Sequence, residues 1–161
     1  MTHAPFLTHI FQSADETTRF AARLAPDLHP GDVILLQGGI GAGKTHFARS
    51  LIQARLAHAG RVEDVPSPTF TLVQTYEDDR AELWHADLYR LTHPDEVDEL
   101  GLIDAFDNAI CLVEWPDRLG ALRPQNALLI DLATTETLGI RKASFTSNTP
   151  NWIPRITGAL S

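Results

Sequence analysis

Along this chain the spacing of apolar residues changes period several times, and each change predicts an element. "FLTHIF", from Phe6 to Phe11, reads as a short strand. Ser13 stands three residues before Glu16, the capping-box spacing, and "DETTRFAARLA" carries the predicted helix onward. Pro26, Pro30 and Gly31 end it and make a turn. "DVILLQG" is an unbroken apolar run bounded by glycine, the pattern of a strand buried on both faces. From Lys44 to about His58 the period becomes helical, with Phe47, Leu51, Ala54 and Arg55 recurring at three-to-four spacing.

Beyond this helix, "VPSPTF" predicts an extended loop, because each proline turns its predecessor away from helix. "FTLVQTY" and "ELWHADLY" alternate as two strands, joined by a hairpin connection in "YEDDRAE". "HPDEVDELGLIDAFD" predicts one or two short helices interrupted at Gly101, and "AICLVEW" another buried strand stopped at Pro116. "NALLIDLA" and "LGIRKASFTS" form a predicted terminal strand pair, and "PNWIPRITGAL" a closing helix broken by Pro154. With no internal repeat and no dividing linker, the elements predict one α/β domain over residues 1–161, a mixed central sheet flanked by helices.

Composition narrows the partners. The formal net charge is −8, so the molecule as a whole should repel nucleic acid. Eleven of the 21 acidic residues fall within residues 77–107, which predicts a solvated acidic face or a docking surface for a basic partner. The single cysteine, Cys111, sits in an apolar run and reads as a buried inert thiol. One cysteine also fits a reducing compartment. No basic region precedes an apolar stretch at the amino terminus, and no run approaches the roughly eighteen apolar residues of a membrane span. A cytoplasmic protein without membrane contact is expected.

One stretch carries chemistry on its own. Gly38, Gly43, Lys44 and Thr45 satisfy the P-loop spacing, between a predicted buried strand and an amphipathic helix. Glycines at 38, 41 and 43 permit positive φ and let backbone N–H groups turn inward toward phosphate oxygens. The loop residues Gly39, Ile40, Gly41, Ala42 and Gly43 are thus candidate phosphate binders, with Lys44, Thr45 and His46 at the helix start. Lys44 can reach the β- and γ-phosphates, and the Thr45 hydroxyl can coordinate Mg²⁺. His46 lies near this ligand, although its side chain reads as a helix-surface histidine. Asp87 and Glu114 each end an apolar strand, where two carboxylates beside one P-loop are most simply explained by Mg²⁺. Catalytic candidates are therefore Lys44, Asp87 and Glu114, and metal candidates Thr45, Asp87 and Glu114.

Taken together, "GGIGAGKTHFAR", "VPSPTFTLVQTY", "HADLYRL", "LGLIDAF" and "ICLVEWPDRLG" resemble, in order and spacing, the TsaE (YjeE) family over residues 13–120. That resemblance implies a small ATPase of bacterial tRNA threonylcarbamoyladenosine biosynthesis, using ATP and Mg²⁺. It also implies docking on TsaD and TsaB homologues, with slow hydrolysis to ADP and with tRNA met only through that complex. Position by position, it implies that Asp87 is a Walker B-like acid and Glu114 a metal-linked glutamate, with Trp115 beside it functionally important. It implies that Thr69, in Ser67-Pro68-Thr69, faces the γ-phosphate, and that Thr17 lies near the adenine pocket. His46 and Ile40 depart from common family residues. Trp84 and Trp152 read as core, and Arg90 is not assigned to catalysis. No water-positioning glutamine or arginine finger is visible, so weak turnover is expected. Two rivals remain: a small-molecule kinase, which would need an arginine-bearing lid near residues 91–107, and a GTP-dependent switch, whose N-K-x-D element is missing.

Overall fold

The computed structural model describes residues 4–161, so residues 1–3 of the amino-terminal reading lie outside it. Seven strands form one mixed sheet: β1 (Leu7–Phe11), β2 (Val33–Gln37), β3 (Val73–Glu77), β4 (Glu82–Asp87), β5 (Ile110–Glu114), β6 (Leu128–Thr134) and β7 (Arg141–Ser147). Their spatial order is β1-β7-β6-β2-β5-β4-β3. The central four, β6-β2-β5-β4, run parallel, while β1, β7 and β3 join antiparallel at the two sides. Five helices flank it: α1 (Ala14–Leu24), α2 (Lys44–His58), α3 (Asp95–Glu99), α4 (Leu102–Asn108) and α5 (Trp152–Leu160).

Why the apolar runs are continuous is visible in β2. Ile34 and Leu36 enter one core with Phe20, Phe47, Leu51 and Trp152 from α1, α2 and α5. Val33 and Leu35 enter a second core with Val97, Leu102 and Phe106 from α3 and α4. A strand covered on both faces has no solvent side on which to place polar residues. The segment from Leu91 to Asp107 packs on the second core: α3 and α4 bury its apolar residues and leave most of its acids outside.

The capping box forms with a shift. Ser13 Oγ accepts from the Glu16 N–H at 3.2 Å, but the Glu16 carboxylate accepts from the Gln12 N–H, not from that of Ser13. The closing helix α5 is not broken at Pro154, contrary to expectation. Pro154 is its third residue, and an N–H there has no intrahelical partner to lose. Trp152 is buried as expected, with its indole N–H on Asn126 O at 2.8 Å. Trp84 is only half-buried, and its N–H reaches the exposed Glu82 carboxylate. Cys111 is enclosed, and burial pushes its thiol up to about 12, which keeps it protonated and inert. No helix among the described residues is long and apolar enough to cross a membrane.

One buried ion pair ties α2 to both neighbouring loops. Arg55 Nε donates to Asp78 at 2.6 Å, and Arg55 Nη1 donates to the carbonyls of Ala25 and Leu28 at 2.9 and 3.0 Å. Burial alone would raise the Asp78 carboxyl. The hydrogen bonds from Arg55, Arg80 N and Ala81 N, with the Arg55 charge, outweigh it and hold the group below its ordinary value. Arg55→Ala should cost roughly 3–5 kcal/mol, because it leaves Asp78 and two carbonyls without their donor. Denaturant unfolding reads this directly, and a loss under about 1 kcal/mol would show the clasp to be peripheral.

Candidate functional site

The period-two geometry of the parallel strands collects the polar residues. In β4, Leu83, His85 and Asp87 share one face; in β5, Ile110, Leu112 and Glu114 share the same face. Asp87 is the register partner of Glu114, and Glu114 is the register partner of Leu36 in β2. Strand β2 therefore ends beside both carboxylates. Its chain then turns through residues 38–43 into α2, which crosses that same face.

The turn is shaped by its glycines. At Gly38 a Cβ would lie 2.3 Å from Leu132 O of β6, so no side chain fits. Gly43, the N-cap of α2, has φ +104° and supplies no side-chain cap. The first N–H of α2 to find a backbone carbonyl is that of Phe47, on Gly43 O at 3.0 Å. The N–H groups of Lys44, Thr45 and His46 stay without intrahelical partners at the positive end of the helix, an arrangement that fits an anion.

Lys44 is 5% exposed and folds back over the loop. Its Nζ donates to Gly38 O at 2.7 Å and to Gly39 O at 2.8 Å, and it stands 4.4 Å from the centre of the Trp115 ring. Burial lowers the Lys44 ammonium from its ordinary value, opposed by the charges of Glu114 and Asp87. Trp115 has φ +59°, a conformation uncommon for a bulky residue, and packs on Tyr89 with ring centroids 4.8 Å apart.

Glu114, 2% exposed, is the hub. The Thr45 hydroxyl donates to it, lying 2.8 Å from Oε1 and 3.0 Å from Oε2, and His85 Nε2 lies 2.7 Å from Oε2. His85 is fully buried and its Nδ1 has no partner. Nε2 therefore carries the proton and donates, because an Nδ1–H would be an orphaned buried donor. Asp87 Oδ2 accepts from Thr69 Oγ1 at 3.3 Å, and its Oδ1 from the Tyr89 N–H at 3.0 Å. Leu72 O accepts the Asp87 N–H at 2.9 Å, which fixes the Thr69 turn against the strand end.

Beside this hub opens a cavity of about 390 Å³. Gly41, Ala42 and Gly43 with Lys44, Thr45 and Glu114 form one wall. Ala14 and Thr17 of α1, His46 of α2, and Leu132, Gly139 and Arg141 of the β6–β7 hairpin complete the lining. Gly39 and Ile40 stand at the outer turn of the loop, with Ile40 83% exposed. Outside the cavity lining, Asp87 is paired in register with Glu114, Thr69 is bonded to Asp87, and Trp115 lies beside Lys44. His46 is not the free surface histidine expected: it is half-buried, with Nε2 3.0 Å from Thr18 Oγ1 and 3.1 Å from Ala14 O, joining α2 to α1. Arg90 lies over the exposed Phe70 ring at 5.8 Å and bonds no group of this site.

The donor set is hard oxygen throughout: one hydroxyl and two carboxylates. No three His, Cys, Asp or Glu among the described residues cluster as a protein-only metal cage. The hard-oxygen donors fit Mg²⁺, which takes one or two carboxylates and completes its shell with phosphate and water. His85 and Arg141 were missed in the sequence. His85 looked like one step of an alternating strand, and Arg141 belongs to no local motif.

Residues 11–143 match the family model described as threonylcarbamoyl adenosine biosynthesis protein TsaE. Similar proteins include the tRNA threonylcarbamoyladenosine biosynthesis protein TsaE of Rickettsia bellii, 38% identical over 76% of this chain and 83% of that one. The protein of that name from Rickettsia conorii is 41% identical, over 68% of this chain and 61% of its own length. The one from Bacillus subtilis is 38% identical over 72% and 70%. The crystal structure of Bacillus subtilis YdiB matches with a TM-score of 0.76 at 26% identity, covering 99% of this chain and 97% of that one. The fold is thus the P-loop NTPase-like α/β architecture expected from the sequence.

Glu114→Ala should cost about 1–3 kcal/mol, because His85 and Thr45 both lose their acceptor in a buried site. Glu114→Gln keeps an acceptor and should unfold near the wild-type midpoint. Thermal unfolding of the two variants checks this, and equal midpoints would mean that the hub contributes nothing to stability.

Proposed function

The chain belongs to the TsaE family, and from that premise we propose that it is a Mg²⁺-dependent ATP-binding protein and weak ATPase. It serves tRNA threonylcarbamoyladenosine biosynthesis as an accessory to TsaD and TsaB homologues, supporting threonylcarbamoylation of adenosine 37 of tRNA. The pathway follows from the family. The nucleotide half rests on one observation: the Thr45 hydroxyl is bonded to the buried Glu114 carboxylate under the uncapped N-terminus of α2.

Each residue then has a task. The first-turn N–H groups of α2 receive phosphate oxygens. Lys44 exchanges the carbonyls of Gly38 and Gly39 for the β- and γ-phosphates, the better acceptors because they are anionic. Thr45 and Glu114 would hold Mg²⁺, with Asp87 at the neighbouring strand end, and His85 fixes the Glu114 carboxylate by its hydrogen bond. A bound Mg²⁺ would supply positive charge to the phosphate oxygens. Thr69, bonded to Asp87, ties the 67–69 turn to this end of the site. Thr17, which lines the same cavity, serves the base side.

Turnover is slow on this reading. Among the described residues no glutamine side chain bonds Lys44, Thr45, Asp87 or Glu114. The arginine in the cavity lining, Arg141, is engaged with the Gly41 and Ala42 carbonyls, which supports weak activation of water for attack on the γ-phosphorus with ADP leaving. The net charge of −8 supports a role in which a partner, not this chain, carries the tRNA. The kinase alternative is less favoured, since the 91–107 segment is acidic and carries no arginine.

Lys44→Ala should weaken Mg·ATP binding on the order of a hundredfold, since it removes the charged donor to two phosphate groups. Titration calorimetry measures this, and unchanged affinity would put the nucleotide elsewhere. The wild-type protein, loaded with ATP, should retain TsaD and TsaB homologues from its own cell extract. Failure to retain them with ATP bound would detach the chain from that complex.

A further inference from the structure

Arg141, the first residue of β7, reaches a hundred residues back in sequence to the glycine-rich loop. Its Nε donates to Ala42 O at 3.2 Å and its Nη2 to Gly41 O at 3.2 Å, while Nη1 donates to its own neighbour Ile140 O at 3.3 Å. Two adjacent loop carbonyls are thus held by one planar, permanently charged fork. The backbone that carries the fork is fixed on both sides, because Arg141 pairs with Phe11 of β1 and with Thr134 of β6.

The consequence follows from the peptide group itself. A trans peptide is planar and its C=O and N–H point in opposite directions. Turning the Ala42 carbonyl toward Arg141 therefore turns the Gly43 N–H away from it, to the side from which α2 begins. The neighbouring Ala42 N–H is already taken by Gly39 O at 3.2 Å, whereas the Gly43 N–H has no backbone carbonyl. That N–H is the one whose direction the fork decides. Arg141 also adds a second cation, after Lys44, to the cavity wall facing α1.

We propose that Arg141 is a positioning residue for phosphate binding: it straps the loop by the Gly41 and Ala42 carbonyls and so presets the Gly43 N–H for the ligand. The inference rests on the nucleotide reading above for its ligand, but not for its geometry. Arg141 acts through the loop, so it supports the phosphates of any nucleotide and does not read the base.

The test uses the full chain with Arg141→Met and Arg141→Lys. Affinities for Mg·ATP, Mg·ADP and Mg·GTP are measured by calorimetry, and amide hydrogen exchange at residues 42–44 is followed without nucleotide. Arg141→Met should weaken ATP and ADP alike, roughly tenfold, with the ATP-to-GTP ratio unchanged. Loop amides should exchange faster in the free protein while the unfolding midpoint stays near wild type. Arg141→Lys, a single point donor in place of a fork, should fall between, at about threefold. Wild-type affinities and wild-type loop exchange in either variant overturn the proposal, so a poorly folded Arg141→Met protein does not shield it. A change in the ATP-to-GTP ratio overturns it too, by making Arg141 a reader of the base. If the wild-type protein binds none of the three nucleotides, the nucleotide reading fails separately, and loop exchange still decides the strap.

Discussion

The parallel register of β2, β5 and β4 is the constraint from which the site follows. Leu36 pairs with Glu114 and Glu114 with Asp87, so three strands end level at one edge of the sheet. Because side chains alternate, the two carboxylates that end β5 and β4 project to the same face as Leu112 and Leu83. That face is the one α2 crosses. A slip of one residue in β5 would send Glu114 into the second core, beneath α4, and leave Thr45 without its acceptor. The two dry cores oppose such a slip, since it would exchange every apolar contact of the strand for the wrong one.

Packing and chemistry are coupled at Glu114. A buried carboxylate is costly unless its lone pairs are used, and Thr45 and His85 use them. The same bonds orient the carboxylate toward the helix start. Lys44 is a second buried charge, compensated by two loop carbonyls and the Trp115 ring. These partners are the kind a phosphate can replace. Both buried charges are compensated within the fold by groups at the loop and the strand ends.

Much of this could be read in the sequence, for reasons that differ by residue. The continuous apolar runs at 33–36 and 110–113 identified strands covered on both sides. The glycine spacing around Lys44 carried its own mechanism, and Asp87 and Glu114 stood out as acids ending apolar strands. His85 did not stand out, because an alternating strand hides which polar residue faces inward until the register is known. Arg141 was invisible for another reason: its partners are backbone carbonyls a hundred residues away, which leave no pattern of residue types. Pro154 misled because a proline within a helical pattern breaks it only past the first turn. His46 misled because its partners, Ala14 and Thr18, belong to a different helix.

Gly38 meets the backbone of β6 with nothing between them: even a methyl group there would lie 2.3 Å from Leu132 O. Where helices pack on the sheet, side chains separate the elements and can shift rotamer to absorb small displacements. At this point there is no such cushion. The loop is gauged directly against the main chain of the sheet, much as a workpiece is set against a stop. A displacement of β6 at Leu132 therefore meets the loop backbone directly. The tolerance of the site is therefore set by how rigidly the β2–β6 pairing is held, at positions that touch no ligand.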